Sequence, residues 1–493
     1  MLLRLCAHHR APIAMSRRSH TRSPSPRAFK RAKIDHLTKE DFKNGVFLAP
    51  MVRSGALPTR LFALKHGASL VWGPEIVDKA ILHAERAVDP VTGVVSYNGK
   101  TRAIFTTHPI EKPYYIFQIG SADPELAVQA ARAVMQDISG IDLNCGCPKP
   151  FSTHAGMGAA LLTNPDLLCS ILTALRAAMP PEITVTAKIR LLPSQEDTLK
   201  LVERIVNTGI SALTVHCRTR TMRDRDAALV GRLREIVEFV EGMGKGIAVI
   251  ENGDCTGAED AKRIRELTGA HSVMIARAAE SNPSCFSPTP LVDVEKTFTP
   301  AYLRLAQYLD NNWGLTKFCV SQFKGKHIDC TKGDQKRYRD IIHVSKEFGD
   351  GLKEIVGDWT GEADFKEIVE SIEARGAAGE GGGRAERGAI GGRDGGPDTD
   401  ADADSADALH AAGYGQPRTA QPRCAPHRCR AQREGDSAFD GSGSDDADPD
   451  TDDVWYPRMR CRNRLQSLFH SPYPFTAAHV ALTSTLSSTY ALR

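Results

Sequence analysis

The chain has 493 residues, a formal net charge of +3 and 12 cysteines. That length leaves room for two or three domains, but the mild charge does not decide the partner question, because an acidic tail offsets basic stretches elsewhere. No apolar run approaches the ~20 residues of a membrane span, so no membrane partner is expected. The closest cysteines, Cys145 and Cys147, lack the two-residue spacing of zinc sites, so no metal is expected and the thiols read as reduced.

Residues 1–40 read as a basic extension without structure. Its first 34 residues contain no Asp or Glu and are rich in Arg, Ser and His, as in Arg17-Arg-Ser-His-Thr-Arg-Ser-Pro-Ser-Pro-Arg27. A mitochondrial presequence, an RNA-contacting or nuclear arm and a plain disordered extension all fit this composition. Cytoplasm or nucleus is the expected location, with mitochondrial targeting left open.

Residues 41–298 alternate strand and helix patterns. Val46–Met51 reads as a first strand running into a loop, Leu57–His66 as a helix closed by Gly67, and Leu70–Glu75 as a second strand. An inserted hairpin is expected around Asp89–Gly99. Tyr114–Gly120, Ile141–Asn144, Ile183–Arg190, Ala212–Cys217, Ile247–Asn252 and Ser272–Ala276 read as strands three to eight, with amphipathic helices between them. Eight strands alternating with helices over about 240 residues match a (β/α)8 TIM barrel. A doubly wound sheet is the rival, but no Gly-x-Gly-x-x-Gly follows the first strand.

Residues 299–372 change character and read as a small all-α domain, with helices over 301–312, 316–325, 336–348 and 365–372. Residues 373–493 are low in complexity, with acidic runs such as Asp398-Thr-Asp-Ala-Asp-Ala-Asp404, and are expected to be largely disordered.

The stretch with most chemical content is Gly140-Ile-Asp-Leu-Asn-Cys-Gly-Cys-Pro148, a strand that breaks into a small-residue loop at Gly146 and Pro148. Cys147 sits at the break. Alone it reads as a packing cysteine. In a barrel, however, strand C-termini converge on one mouth. The residues gathered there are Pro50, Met51, Gln118, Cys147, Lys188, His216, Asn252, Gly253, Asp254, Ala276 and Arg277. Each singly has a plain structural explanation, from surface lysine to core histidine. Together, Asn252-Gly-Asp254 and Ala276-Arg277 after strands seven and eight suit a phosphate, and hence a phosphorylated cofactor. A flavin fits: Gln118 offers a ring-edge amide and Lys188 a cation near the ring position that turns negative on reduction.

At this point the sequence resembles the tRNA dihydrouridine synthases, in particular the eukaryotic class acting on D-loop position twenty. The resemblance runs from about Phe47 to Phe286. It is carried by Leu48-Ala-Pro-Met-Val-Arg-Ser-Gly-Ala-Leu-Pro-Thr-Arg60, Asp142-Leu-Asn-Cys-Gly-Cys-Pro148, Ser152-Thr-His-Ala-Gly-Met-Gly-Ala-Ala-Leu-Leu162, Ala187-Lys-Ile-Arg190, Thr214-Val-His216, Glu251-Asn-Gly253, Val273-Met-Ile-Ala-Arg-Ala-Ala279 and Asn282-Pro283. It implies an FMN-binding barrel followed by a helical tRNA-binding domain. FMN would be held by Pro50, Met51, Val52, Gln118, Lys188, His216, Asn252, Gly253, Asp254, Ala276 and Arg277. It implies reduction of the uracil C5=C6 bond with NADPH or NADH as reductant and Cys147 as proton donor. Three departures stand out: His154-Ala155 where relatives often carry a lysine and a glycine, the second thiol Cys145, and the lack of a recognisable double-stranded-RNA-binding segment after the helices.

For tRNA contact, the basic residues expected on the mouth loops are Arg53, Lys149, Arg190, Arg218 and Arg220, joined by His154. Lys324, Lys326, Lys336, Arg337 and Arg339 belong to the helical domain. They are candidates for a phosphate-tracking surface around an extruded base, against the plainer reading of an ordinary charged surface. A monomer is expected. The competing functions are a flavin-dependent reductase of a free pyrimidine or small enone, and an idle RNA-binding protein on the same scaffold.

Overall fold

The computed structural model describes residues 36–381, with side chains to 375. The basic extension to residue 35 and the acidic tail from residue 382 lie outside the described residues. In chain order the strands are Val46–Leu48 (β1), Val71–Trp72 (β2), Ile76–Val77 (β3), Glu85–Val88 (β4), Val95–Asn98 (β5), Ala103–Thr107 (β6), Tyr115–Gly120 (β7), Gly140–Cys145 (β8), Thr184–Leu191 (β9), Ala212–Thr219 (β10), Ala248–Asn252 (β11) and Ser272–Ile275 (β12). Eight of them form the expected closed parallel barrel, in the order β2-β1-β12-β11-β10-β9-β8-β7, with β2 pairing back onto β7. Closure is made by Val46, Phe47 and Leu48 lying beside Val273, Met274 and Ile275.

The strands alternate between two cores. Phe47, Trp72, Ile116, Ala212, Ala248, Ile250 and Met274 point inward and fill the bottom of the barrel with Phe42 from the short helix Lys39–Phe42. Their neighbours Leu48, Val71, Phe117, Leu213, Val249 and Val273 point outward against the helices. Both faces are therefore covered, and every residue of β7 and β8 is buried, as parallel sheets require. The outer helices present one apolar stripe each: Pro165–Ala178 buries Leu168, Ile171, Leu172 and Leu175 at helical spacing. Asp123, Asn164 and Ser194 cap the starts of three such helices by accepting backbone N–H groups.

Four elements differ from the sequence reading. The second strand is split at Gly73-Pro74 into β2 and β3. A Cβ on Gly73 would lie 1.9 Å from Tyr115 Oη, so the chain passes there only as glycine. The expected hairpin is a three-stranded antiparallel meander, β4-β5-β6. Tyr97 and Phe105 pin it to the barrel by stacking onto Tyr115 and edging onto Phe117. The helix expected from 336 starts at Lys332, where Thr331 and Asp334 cap each other's backbone, despite Gly333. The last helix runs Gly361–Gly381 rather than stopping at 372. Arg375 extends it usefully, donating to the carbonyls of Leu64 (2.6 Å) and Ala68 (2.9 Å) at the end of helix Leu57–Lys65.

The other helices after the barrel are Thr299–Tyr308 and Trp313–Gln322, near their expected places, and the short Lys353–Val356, which the sequence reading does not announce; among the described residues no strand lies between them. They are joined to the barrel through Thr59–Tyr302 (2.8 Å) and the guanidinium of Arg53, 3.8 Å over the Phe318 ring. Among the described residues no helix is long and apolar enough to cross a membrane.

A buried ion pair ties this assembly together. Arg60 is 1% and Glu111 0% exposed. Arg60 Nε and Nη2 donate to both carboxylate oxygens at 2.9 and 2.7 Å, while the remaining N–H groups reach the carbonyls of Gly55 and Thr106. Thr107 donates to the same carboxylate. One guanidinium thus holds the loop after β1, the meander and the approach to β7. Replacing Arg60 with Leu strands a buried carboxylate and should cost about 3–5 kcal/mol, read as a large drop in thermal midpoint. The double replacement with Glu111→Leu should recover much of it.

Candidate active site

Register decides which side chains share the mouth. Gln118 pairs with Asp142, Asp142 with Thr186, Asn144 with Lys188, Lys188 with Thr214, and His216 with both Arg190 and Asn252. With a period of two along each strand, all of these project to the barrel interior above the apolar plug. Gln118, Lys188, His216 and Asn252 therefore meet as expected.

They are tied to one another. Lys188 Nζ donates to Asn252 Oδ1 at 2.8 Å, and Asn252 Nδ2 donates to the Met274 carbonyl at 2.9 Å. Gln118 Nε2 donates to Asp142 Oδ2 at 2.8 Å, and Thr186 Oγ1 to Asp142 Oδ1 at 2.7 Å. Burial raises Asp142 to about 6, although Thr186, Gln118 and Lys188 work against it. Burial, helped by Arg190, lowers Lys188 to about 8, so it still carries its proton at pH 7. His216 is pushed far down by burial and by Lys188, Arg190, Arg218 and Arg277, and is a neutral imidazole.

The expected phosphate end is a compact knot. Asp254 takes a left-handed backbone conformation, φ 64°. Its carboxylate is gripped by Arg218 Nη2 at 2.6 and 2.7 Å, by Arg277, and by the backbone N–H of Ala228. Those contacts overcome its burial and lower it below the ordinary carboxylate range. Arg277 also donates to the Asp224 carbonyl, yet its side chain remains about half exposed to the mouth. Gly253 is packed so that a Cβ would lie 2.7 Å from Ala228 and 3.0 Å from Glu251. Asp254 therefore aligns two guanidinium groups, and the backbone beside them is bare of side chain. Pro50, Met51 and Val52 follow β1 onto the rim, Val52 being exposed, and Ala276 lies half-buried at the end of β12.

On the opposite wall the Cys147 loop is held at several points. Asn144 Oδ1 accepts the backbone N–H groups of Gly146 (2.9 Å) and Cys147 (3.0 Å). Ala159 N–H reaches the Cys147 carbonyl (2.9 Å), and Arg190 Nε the Gly146 carbonyl (2.9 Å). Gly158 closes the loop with φ 59°, and a Cβ there would lie 2.6 Å from the Cys147 carbonyl oxygen. Cys147 itself is half-buried; Cys145 points outward into the helix layer and is fully buried. Burial and the neighbouring Glu75 carboxyl push the Cys147 thiol up to about 12. Glu75 is 3% exposed. Burial raises it to about 7, with Cys147, Ser152 and Asn144 as its polar neighbours.

The basic residues divide. Lys149, His154, Arg220, Lys324, Lys326, Lys336, Arg337 and Arg339 are exposed, Arg337 in an ion pair with Glu354 (2.6 Å). Arg218 is buried and turned onto Asp254, and Arg190 is spent on the Cys147 loop and the carbonyls of Thr219 and Met222. Arg53 adopts φ 71° and stacks on Phe318. Glu75, Asn144, Ser152 and Asp142 join the site unannounced by the sequence reading. Among the described residues no group of three or more His, Cys, Asp or Glu side chains is placed to hold a metal.

Comparison with known proteins bears on this mouth. Residues 47–380 match the family described as Dihydrouridine synthase (Dus), a span that takes in both the barrel and the helices behind it. A Schizosaccharomyces pombe protein named tRNA-dihydrouridine(20) synthase, NAD(P)+, is 49% identical over 320 residues, covering 63% of this chain and 64% of that relative. The Saccharomyces cerevisiae protein of the same name is 39% identical over 349 residues, covering 66% of this chain and 88% of the relative. A Saccharomyces cerevisiae tRNA-dihydrouridine(20a/20b) synthase is 31% identical over 238 residues, covering 48% and 60%. With the Gly-Cys-Pro loop, the Lys188–Asn252 wall and the helical segment all inside the matched region, the chain belongs to the dihydrouridine synthase family.

Proposed function

We propose that this chain is a tRNA-dihydrouridine synthase that reduces the C5=C6 bond of a D-loop uridine, at position twenty, with FMN in the barrel mouth and NAD(P)H as reductant. The observation that carries the reading is the placement of a thiol held in its neutral form at the end of β8, beside the strand that carries the charged Lys188. The residues fit the cofactor. Lys188 and Gln118 suit the polar edge of a flavin ring, and neutral His216 can donate one hydrogen bond without adding charge. Arg277, the backbone at Gly253 and the Arg218–Asp254 support suit its phosphate. Four cations, Lys188, Arg190, Arg218 and Arg277, act on this wall, against the carboxylates of Asp254 and Asp142, so an anionic group is favoured there. When bound and reduced, the flavin supplies the hydride for C6 of the uracil.

The remaining chemistry falls to the chain. Adding hydride at C6 leaves C5 carbanionic, conjugated with the C4 carbonyl, and in need of a proton. Cys147 Sγ holds that proton firmly: with a pKa near 12, it yields it only to a centre as basic as the developing C5. Asn144 and Arg190 fix the loop so that the thiol need not be ordered during reaction. The target base is stacked within a folded RNA, so it must be extruded to reach this depth. The exposed Lys324, Lys326, Lys336 and Arg339 support a polyanionic substrate over a free pyrimidine.

Three outcomes test this. Cys147→Ala should keep the yellow colour of bound flavin and lose dihydrouridine formation by about a hundredfold or more, measured in transcribed tRNA. Because its pKa is raised, wild-type Cys147 should also resist iodoacetamide at pH 8 far better than an ordinary thiol. Lys336→Glu combined with Arg339→Glu should raise KM for tRNA several-fold with little change in kcat, and should flatten the salt dependence of binding by roughly one unit of log–log slope per lost contact.

A further inference from the structure

Glu75 lies outside every motif that led to the mouth, yet its carboxyl is packed under the Cys147 loop with Ser152 and Cys147 among its polar neighbours. It sits in the short link between β2 and β3 and is 3% exposed. Its Oε1 accepts from Ser152 Oγ at 3.2 Å, while Oε2 is buried without a hydrogen-bond partner by distance and angle. Two glycines make room for this grouping. A Cβ on Gly120 would lie 2.6 Å from Glu75 Oε1. One on Gly158 would lie 2.4 Å from Ser152 Oγ and 3.1 Å from Cys147 Cβ. Carboxyl, hydroxyl and thiol are thus packed into one pocket beneath the loop. The titratable groups facing Glu75 are the Cys147 and Cys145 thiols, with Ser152 and Asn144 as neutral neighbours.

We propose that Glu75 is the proton reservoir of the reaction: Ser152 positions its carboxyl, which re-protonates the Cys147 thiolate after each turnover. This rests on Cys147 being the donor to C5. In the first transfer the S–H bond breaks as the C5–H bond forms, leaving a thiolate. In the second, the Glu75 O–H bond breaks as S–H re-forms, leaving a carboxylate that recovers its proton from water. Neither step changes an oxidation state. The direction is downhill, because burial holds Glu75 near 7 and the thiol near 12. At neutral pH the carboxyl is protonated about half the time, so it can both give and regain a proton. It would also account for a buried carboxyl kept beside a group whose neutrality matters.

The test compares single and multiple turnovers of the full-length enzyme with tRNA and NADPH. A single turnover of pre-reduced enzyme begins with Cys147 already protonated. Glu75→Gln, which keeps shape and the Ser152 contact, should react within about threefold of wild type in that mode, but turn over roughly tenfold or more slowly in steady state. The wild-type steady-state rate should fall as pH rises through about 7, where the reservoir empties, with no such fall in the single turnover; the variant should lack that inflection. Unchanged steady-state turnover in Glu75→Gln, or an inflection that survives in it, would overturn the proposal. Should Glu75→Gln fail to fold, the wild-type comparison decides alone, and an inflection equal in both modes rejects the reservoir. Cys147→Ala separates the two readings. If it is inactive while Glu75→Gln is normal, only the reservoir fails. If it is fully active, the donor assignment fails and the reservoir with it.

Discussion

The pairing of Val46, Phe47 and Leu48 with Val273, Met274 and Ile275 closes the barrel, and closure sets where every polar side chain of the mouth can be. An open parallel sheet would spread the ends of β7 to β11 along a line. Bent into a ring with the fixed stagger of a barrel, the same strands aim Gln118, Asp142, Lys188, His216 and Asn252 at a common axis. Below them Phe42, Phe47, Trp72 and Met274 exclude water, so the polar ring rests on a low-dielectric floor. That floor is why Asp142 is raised, Lys188 lowered and His216 kept neutral: in each case burial is the largest influence. Apolar packing at one end of the barrel sets proton occupancy at the other.

The mouth has two walls of opposite character. One gathers Lys188, Arg190, Arg218 and Arg277 and favours an anion. The other holds the Cys147 thiol and the Glu75 carboxyl, which disfavour negative charge in each other. Burial and Glu75 keep the thiol protonated, where an unopposed cation would pull its pKa down toward a thiolate. Arg190 crosses between the walls, but its Nε and Nη1 are committed to the carbonyls of Gly146, Thr219 and Met222, and burial holds its own pKa down to about 10. It organises the loop while its charge pulls the thiol down less than burial and Glu75 push it up.

Much of this was readable in the sequence, for a physical reason. Barrel strands have period two and helices 3.6, so element order, the mouth residues and Cys147 follow from local pattern. What escaped depends on contacts between segments far apart in the chain. Glu75 looked like the plain end of a second strand. Only β3 lying beside β7, with Gly120 leaving space, turns it toward Ser152, 77 residues away in sequence. Gly73 and Pro74, read as part of one strand, are where the chain breaks into β2 and β3. Arg218 has the local look of an RNA-facing residue, and only Asp254, 36 residues on, turns it inward. Arg375 sits in a Gly- and Ala-rich stretch of poor helix signal, and its hydrogen bonds to the end of helix Leu57–Lys65 make it part of the fold.

Glu251 shows how far this tuning reaches. It is fully buried on the outer face of β11, neither carboxylate oxygen meets a hydrogen-bond donor, and burial with Asp254 and Asp260 raises it well above the carboxylate range. Its surroundings therefore favour the protonated, neutral form. It lies directly under Gly253, where a Cβ would stand 3.0 Å from it. An ionised glutamate there would place a negative charge beneath the turn that lies beside Arg218 and Arg277. With its proton favoured it adds little charge beneath the turn, and the carboxylate that contacts Arg218 and Arg277 is Asp254, whose charge aims them. The same rule thus governs both ends of the mouth: a buried carboxyl is acceptable where its proton stays on, as at Glu251, or can be lent and recovered, as at Glu75. An ionised one is found where donors surround it, guanidinium groups at Asp254 and the Gln118 amide and Thr186 hydroxyl at Asp142.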